Sequence, residues 1–260
     1  MIQAAFFDID GTLVSLKKKV CPASTKHALK RLRKSGVKCF IATGRSKFEI
    51  KSEHLLDGLE FDGILTNNGQ DTYDADGRLL YGKPIDPKEA EAVLEQVEKI
   101  GCACWMVSAE RSILNFRNER VMQAMEAIHT QPPEIGELRE MLSKPIYKIV
   151  LFLYREEMSA VMPVAPTCRM TQWYICGHDI ISFDGGKKNA MLEILRRYSI
   201  APEECIAFGD SENDIEMLRA AGIGVAMGNG TPECIAAADF VTADCDDDGL
   251  QKALEHFKLI

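Results

Sequence analysis

An apolar run that stops abruptly at two carboxylates constrains this chain more than any other feature. Phe6-Phe7-Asp8-Ile9-Asp10-Gly11-Thr12-Leu13 begins as a buried strand, places two acids spaced i, i+2 at its exit, and then turns at a Gly-Thr pair. Strand side chains alternate faces, so regular geometry would point both acids the same way. At ~4 Å, with an effective dielectric of about 20, two like charges cost on the order of 4 kcal/mol. A divalent cation relieves that cost, and an all-oxygen donor set suits Mg²⁺. Taken alone, the segment also fits an Asx-turn closing an ordinary strand.

The same grammar recurs downstream. Ser24 or Thr25 is expected to cap a helix with apolar positions Ala28, Leu29 and Leu32, ended by Gly36. A second apolar strand at 37–42 runs into Thr43-Gly44-Arg45, and Ser46-x-x-Glu49 offers a capping box for the next helix. Strand, tight turn and helix N-terminus together make an anion site or a plain connection. As an anion site, Thr43 supplies a hydroxyl, Gly44 close approach and Arg45 charge. A third strand at 63–66 leads to Asn67-Asn68-Gly69, and Asp74-Ala75-Asp76-Gly77 predicts a hairpin. This β-α-β-α-β order implies a parallel sheet with helices on its faces.

The rhythm changes at residue 85. Asp86 and Pro87 open a helix ended by Gly101, followed by strands near 102–107 and 112–117 and helices at 118–129 and 133–142. A strand at 147–154, a short helix at 155–162 and strands at 169–174 and 179–183 complete an α+β unit, read as a mainly antiparallel sheet with helices on one face. The α/β rhythm returns with a helix at 187–199, a strand at 205–208 ending in Gly209-Asp210, a helix through Ala221, and strands at 223–227 and 240–242 around a helix at 231–238. Asp246-Asp247-Asp248-Gly249 heads the last helix, where acids suit a helix N-terminus. The expected organisation is therefore a core of residues 1–84 and 184–260 interrupted by an inserted domain at 85–183.

In an open parallel sheet, ligands bind outside the carboxyl ends of the strands. Three such ends carry polar residues: Asp8/Asp10, Thr43-Gly44-Arg45, and Asp210/Asn213/Asp214. Asp210 and Asp214, four apart at a helix start, share a face. Four acids at one pole call for a cation. Helix N-termini, Thr43 and a lysine suit a tetrahedral anion, so the set reads as a phosphate site, with Lys187 or Lys188 as its lysine.

Composition excludes several other classes. The formal net charge of -8 argues against non-specific nucleic-acid binding. No apolar run approaches the ~18 residues of a membrane span, and no signal-peptide pattern opens the chain, so a soluble, cytoplasmic protein is expected. The nine cysteines and five histidines (His27, His54, His129, His178, His256) are scattered without paired CxxC spacing, which reads as reduced structural thiols rather than a zinc site. Lys17-Lys18-Lys19 reads as a solvated loop, and no obligate protein partner is evident.

The four stretches Asp8-Ile9-Asp10-Gly11-Thr12-Leu13, Thr43-Gly44-Arg45, Lys187 and Gly209-Asp210-Ser211-Glu212-Asn213-Asp214 resemble, in order, the motifs of the haloacid dehalogenase (HAD) superfamily. The insert's position, together with Asn68-Gly69 and Gly224-Val225-Ala226-Met227-Gly228-Asn229, is similar to its Cof-type, sugar-phosphatase-like branch with a C2B cap. The resemblance implies a Rossmann-like three-layer α/β core and a Mg²⁺-dependent phosphatase of small phosphorylated metabolites. It implies Asp8 as nucleophile forming an aspartyl-phosphate, Asp10 as general acid and then base, Thr43 bonded to the phosphoryl group, and Lys187 neutralising it. Gly44, Arg45, Asn68 and Asn213 would line the phosphate. Asp8, the Asp10 carbonyl and Asp210 would bind the metal, with Asp214 behind them. The family's Lys-Gly is Lys187-Lys188 here, which leaves Lys188 as an alternative. The resemblance also implies that Asp10 breaks strand geometry, with Gly11 permitting the break.

In the insert, Trp105, Phe116, Trp173 and Tyr174 are expected mainly to pack the sheet, while Arg111, Arg117, Asn118 and His178 are polar candidates for reading a leaving group. A sugar phosphomutase resembling phosphomannomutase is the alternative activity, and a non-catalytic phosphometabolite sensor a third reading.

Overall fold

The computed structural model describes every residue except Leu55, Asp57 and His129. Strand β1 (Ala4–Phe7) is apolar and buried on both sides: Ala5 and Phe7 join one core cluster, Ala4 and Phe6 another. A strand of that kind belongs to a parallel sheet covered twice. The chain continues through α1 (Ala23–Lys34), β2 (Lys38–Ala42), α2 (Lys47–Ser52) and β3 (Gly63–Thr66), then the hairpin of β4 (Asp71–Asp74) and β5 (Leu79–Gly82). α1 buries Ala28, Leu29 and Leu32, but it starts after Pro22 rather than at Ser24 or Thr25. Pro22 stands at the N-cap and carries no side-chain oxygen, so no side-chain cap forms. The capping box of α2 forms as expected: Ser46 Oγ accepts from the Glu49 N–H, and Glu49 accepts from the Ser46 N–H.

The next segment holds α3 (Pro87–Ile100), β6 (Cys104–Ser108), β7 (Ser112–Leu114), α4 (Glu119–Ala127), β8 (Glu134–Ile135), α5 (Leu138–Met141), β9 (Ile146–Leu151), β10 (Cys168–Tyr174) and β11 (Gly177–Ser182). Its sheet runs β10-β11-β9-β6-β7-β8, antiparallel except for β7 with β8. Three readings need correction. Helices cover both faces, not one: α3 and α5 pack on Cys104, Met106, Ile149 and Leu151, while α4 packs on Trp105, Val107, Val150 and Phe152. Residues 134–135 pair as a strand, and α5 is only Leu138–Met141. The helix expected at 155–162 is two short 3₁₀ turns, Glu157–Ala160 and Met162–Val164, separated at Val161 (φ -110°), and Pro163 opens the second. His129, the expected end of α4, lies outside the described residues.

The chain closes with α6 (Lys187–Arg197), β12 (Cys205–Gly209), α7 (Ile215–Ala220), β13 (Ile223–Ala226), α8 (Pro232–Ala237), β14 (Phe240–Val241) and α9 (Gly249–His256). The large sheet runs β14-β13-β12-β1-β2-β3-β4-β5; β14 through β3 are parallel and β4 joins antiparallel. One face packs on α1 and α9, the other on α6, α7 and α8, giving three layers. Two compact units result: Met1–Tyr81 with Gly186–Ile260, and Gly82–Gly185. All nine cysteines are free, and no helix among the described residues is long and apolar enough to cross a membrane. Lys17 and Lys18 reach Asp244 (3.7 Å) and Asp246 (3.1 Å), so the lysine loop and the acid run meet.

Candidate active site

β1 lies between β2 and β12, so the loops leaving these strands emerge side by side at their carboxyl ends. Asp8 follows β1 directly, and its N–H donates to the Phe208 carbonyl (3.1 Å), fixing it beside the β12 exit. Asp210 follows β12. Gly11, at φ 79°, has its missing Cβ space filled by the Asp210 carboxylate, so no side chain fits there. Oxygens of Asp8, Asp210 and Asp214 lie within 4.8 Å of one another, and all three residues are buried.

Lys187 opens α6 on the face that also buries Ala190, Met191 and Ile194, and this rotation aims its side chain inward. Its Nζ donates to Asp8 Oδ1 (2.8 Å) and Asp214 Oδ1 (2.6 Å), and its side chain is 1% exposed. Lys188 is only half-buried. Asp214 Oδ2 accepts from the Asp210 N–H (3.1 Å) and the Ser211 N–H (3.2 Å), so Asp214 ties Lys187 to the loop that carries Asp210.

Three buried acids around one lysine leave charge unbalanced. Burial raises Asp8 to about 7, with Lys187 opposing and Asp214 and Asp10 reinforcing. Burial likewise raises Asp210 to about 8, reinforced by Asp8 and Asp214. For Lys187, burial works against the charge, but Asp214 and Asp8 outweigh it and raise the net value. The cluster as it stands therefore holds protons that a bound cation would displace. Among the described residues, the buried Asp210 Oδ1 has no hydrogen-bond partner, and the donors are all oxygen. Both observations fit a hard divalent ion such as Mg²⁺.

Asp10 stands apart. The regular strand ends at Phe7, and Asp10 turns to Arg45, which donates to it twice: Nε to Oδ2 (2.7 Å) and Nη2 to Oδ1 (2.9 Å). The two acids of the first motif thus face different partners. Arg45, expected to carry charge toward an anion, bridges Asp10 and Glu53 (2.9 Å) in this structure. Burial opposes its charge, yet Asp10 and Glu53 hold it above its ordinary value. Glu53 was not singled out from sequence, since nothing local marks it. Thr43 is buried and its Oγ1 accepts from the Arg45 N–H (3.1 Å). Gly44 lies against Asn68, whose Oδ1 accepts from Asn213 Nδ2 (2.9 Å). Thr12 Oγ1 is buried with no partner among the described residues, and Asn229 Nδ2 donates to the Gly11 carbonyl (2.9 Å); both sit in stretches noted in the sequence but given no role there.

Among the insert's candidates, Trp105 is core and its Nε1 donates to Ser112 Oγ (2.7 Å). Trp173 meets Phe152 edge-on (6.3 Å) with Tyr174 beside it. Phe116 is exposed, Asn118 caps α4, Arg111 pairs weakly with Glu140 (3.5 Å), Arg117 is exposed and His178 is fully buried.

A family model described as a haloacid dehalogenase-like hydrolase matches residues 5–254. The HAD subclass IIB sugar phosphatase BT4131 superposes with a TM-score of 0.85 at 36% identity, covering 99% of this chain and 100% of that one. The HAD phosphatase BT1666 of Bacteroides thetaiotaomicron superposes with a TM-score of 0.90 at 31% identity, covering 100% and 96%. An HMP-PP phosphatase of Cronobacter sakazakii is 29% identical over 248 residues, 91% of this chain and 88% of its own length.

Proposed function

Because the chain belongs to the haloacid dehalogenase-like hydrolases, as a Cof-type phosphoric monoester hydrolase, we propose that it hydrolyses small phosphorylated metabolites, sugar phosphates foremost, through an aspartyl-phosphate on Asp8 and with Mg²⁺. The observation that carries this reading is the Asp8 carboxylate, buried in a group of acids and held by Lys187 at 2.8 Å. A carboxylate so fixed is a preorganised nucleophile, and splitting hydrolysis through it replaces one hard step with two easier ones.

Asp8 attacks phosphorus while the ester oxygen leaves with a proton from Asp10. Asp10 then takes a proton from water, which attacks phosphorus and releases inorganic phosphate and free Asp8. Both Asp10 oxygens accept from Arg45, so proton delivery requires that fork to open. Lys187 neutralises charge on the phosphoryl oxygens and keeps Asp8 oriented. The Thr43 hydroxyl and the Gly44–Arg45 turn supply donors to those oxygens, and Asn213, steadied by Asn68, borders them. Asp8, Asp210 and the Asp10 carbonyl would hold Mg²⁺, with Asp214 behind them. Bound there, the ion would supply Lewis-acid charge neutralisation, letting an anionic nucleophile meet an anionic ester.

A phosphate-release screen over phosphorylated sugars and other small esters, with and without Mg²⁺, tests the proposal. Release that needs Mg²⁺ and is greatest on sugar phosphates is expected. Isomerised sugar phosphate without release would favour a phosphomutase instead, and release unaffected by EDTA would remove the metal.

A further inference from the structure

Asn67, Asn68 and Gly69 take positive φ in succession, 50°, 59° and 77°. Two non-glycine residues in a row in this region are strained, and such strain persists only where the surroundings over-determine it. On one side the turn touches three segments of the site, those of Thr43–Arg45, Lys187 and Asn213. The Asn67 N–H donates to the Arg45 carbonyl (3.0 Å), the Asn68 N–H to the Thr43 carbonyl (2.9 Å), and Asn68 Oδ1 accepts from Asn213 (2.9 Å). Gly69 abuts the Gly186 carbonyl and the Lys187 N–H, where a Cβ would sit 2.5 Å and 2.9 Å away. On the other side lies Asp71, 1% exposed, at the start of β4. Its Oδ1 accepts from Thr66 Oγ1 (2.5 Å) and Asn67 Nδ2 (2.9 Å), and its Oδ2 from the Tyr73 hydroxyl (2.7 Å). A buried carboxyl whose partners among the described residues are all uncharged donors is a poor way to stabilise a sheet, since an apolar residue would fit a strand more cheaply.

We infer that Asp71 is a positioning residue: by gripping Asn67 it holds the strained turn that sets Asn213 and the start of α6 carrying Lys187. Asp71 makes no hydrogen bond to the residues placed on the phosphate, so it acts through the turn. The inference rests on the phosphatase reading for its kinetic consequence but not for its structural one.

The test compares Asn67→Gly, Asp71→Ala and Asp71→Asn with wild type, by steady-state phosphate release and by amide hydrogen exchange. Glycine adopts positive φ freely, so Asn67→Gly should keep or raise the melting temperature while losing the grip of Asp71. Its kcat should fall about 10-fold, and that of Asp71→Ala up to about 100-fold, with KM changed less than about 3-fold. Asp71→Asn keeps an oxygen for Thr66 and Asn67, and the Tyr73 hydroxyl can turn to accept from the new amide; kcat should return to within about 3-fold of wild type. Exchange at 67–70 and at 186–190 should quicken together in Asn67→Gly. Unchanged kcat in both Asn67→Gly and Asp71→Ala overturns the inference. A wild type that releases no phosphate from any ester instead defeats the phosphatase reading, and the exchange measurement then decides this one: unaltered exchange at 186–190 overturns it, faster exchange supports it.

Discussion

The two units handle buried polar groups in opposite ways. In the first, Asp8, Asp210 and Asp214 crowd around one lysine at the carboxyl ends of parallel strands, and burial drives Asp8 and Asp210 well above the carboxylate range. In the second, buried polar side chains are dispersed: the Trp105 indole meets Ser112, the Trp173 indole meets Asp179 (2.8 Å), and Asn115 bridges Cys102 and Cys104 (3.0 and 2.9 Å). Parallel strands all exit at one pole and gather whatever their loops carry. Antiparallel strands exit alternately at both ends and divide their loops between the two. Unfavourable electrostatics concentrated at one pole is the mark of a site kept for chemistry rather than stability.

Removing the nucleophile is the most severe way to test that contrast. Asp8→Asn is nearly isosteric, and turnover should fall at least about 10⁴-fold while circular dichroism and the melting transition stay native. Retained phosphate release would sink the assignment of Asp8. Next in size is the lysine. Lys187→Met should lower kcat by roughly 10²–10³-fold, because it removes fixed charge at the transferring group. It also strips Asp8 of its cation, so the acid limb of the kcat/KM profile should move to higher pH. Lys188→Met should change kcat less than about 3-fold; an equal loss from both lysines would erase the distinction between them.

That distinction shows how much the sequence disclosed. The strand ends and the spacing of their polar residues are local patterns and were readable as such. The choice between lysines stays open in the sequence; the fold puts Lys187, and not Lys188, on the buried stripe of Ala190, Met191 and Ile194. The fork between Arg45 and Asp10 was not readable, because it depends on where two loops from different strands come to rest. Asp71 was hidden as one polar residue in a short strand, and its partners Thr66, Asn67 and Tyr73 declare themselves only through the fold. In the insert, the uninterrupted apolar run Cys104-Trp105-Met106-Val107 was the available sign that both sheet faces are covered, and the one-faced reading overlooked it. Glu134 and Ile135 are exposed and pair without burying, so periodicity could not have revealed β8.

A smaller effect separates the units by pH. An unfolded aspartate loses its proton near 4, while folded Asp8 and Asp210 keep theirs to about 7 and about 8. Between those limits the folded form binds more protons than the unfolded one, so stability must fall as pH rises. In EDTA the melting temperature should therefore decline from pH 5 to pH 8, with each kcal/mol lost lowering it by roughly 2–4 °C. Mg²⁺ competes with the same protons, so its stabilisation should be larger at pH 8 than at pH 5.5. A Mg²⁺ shift equal at both values would place the ion elsewhere than on these acids.

The least effect is expected where the second unit loses one of its singly satisfied groups. Asn118 caps α4, accepting from the Val121 N–H at 3.0 Å. Asn118→Ala leaves that donor at the helix start without its partner and should cost about 1 kcal/mol, or roughly 2–4 °C. Removing a cap shortens no contact among the acids of the first unit, so the pH dependence of stability in EDTA should keep the wild-type slope, displaced downward as a whole. A change of slope would mean that the insert's hydrogen bonds feed the proton balance of the core acids, and the division between a concentrated pole and a dispersed sheet would have to be redrawn.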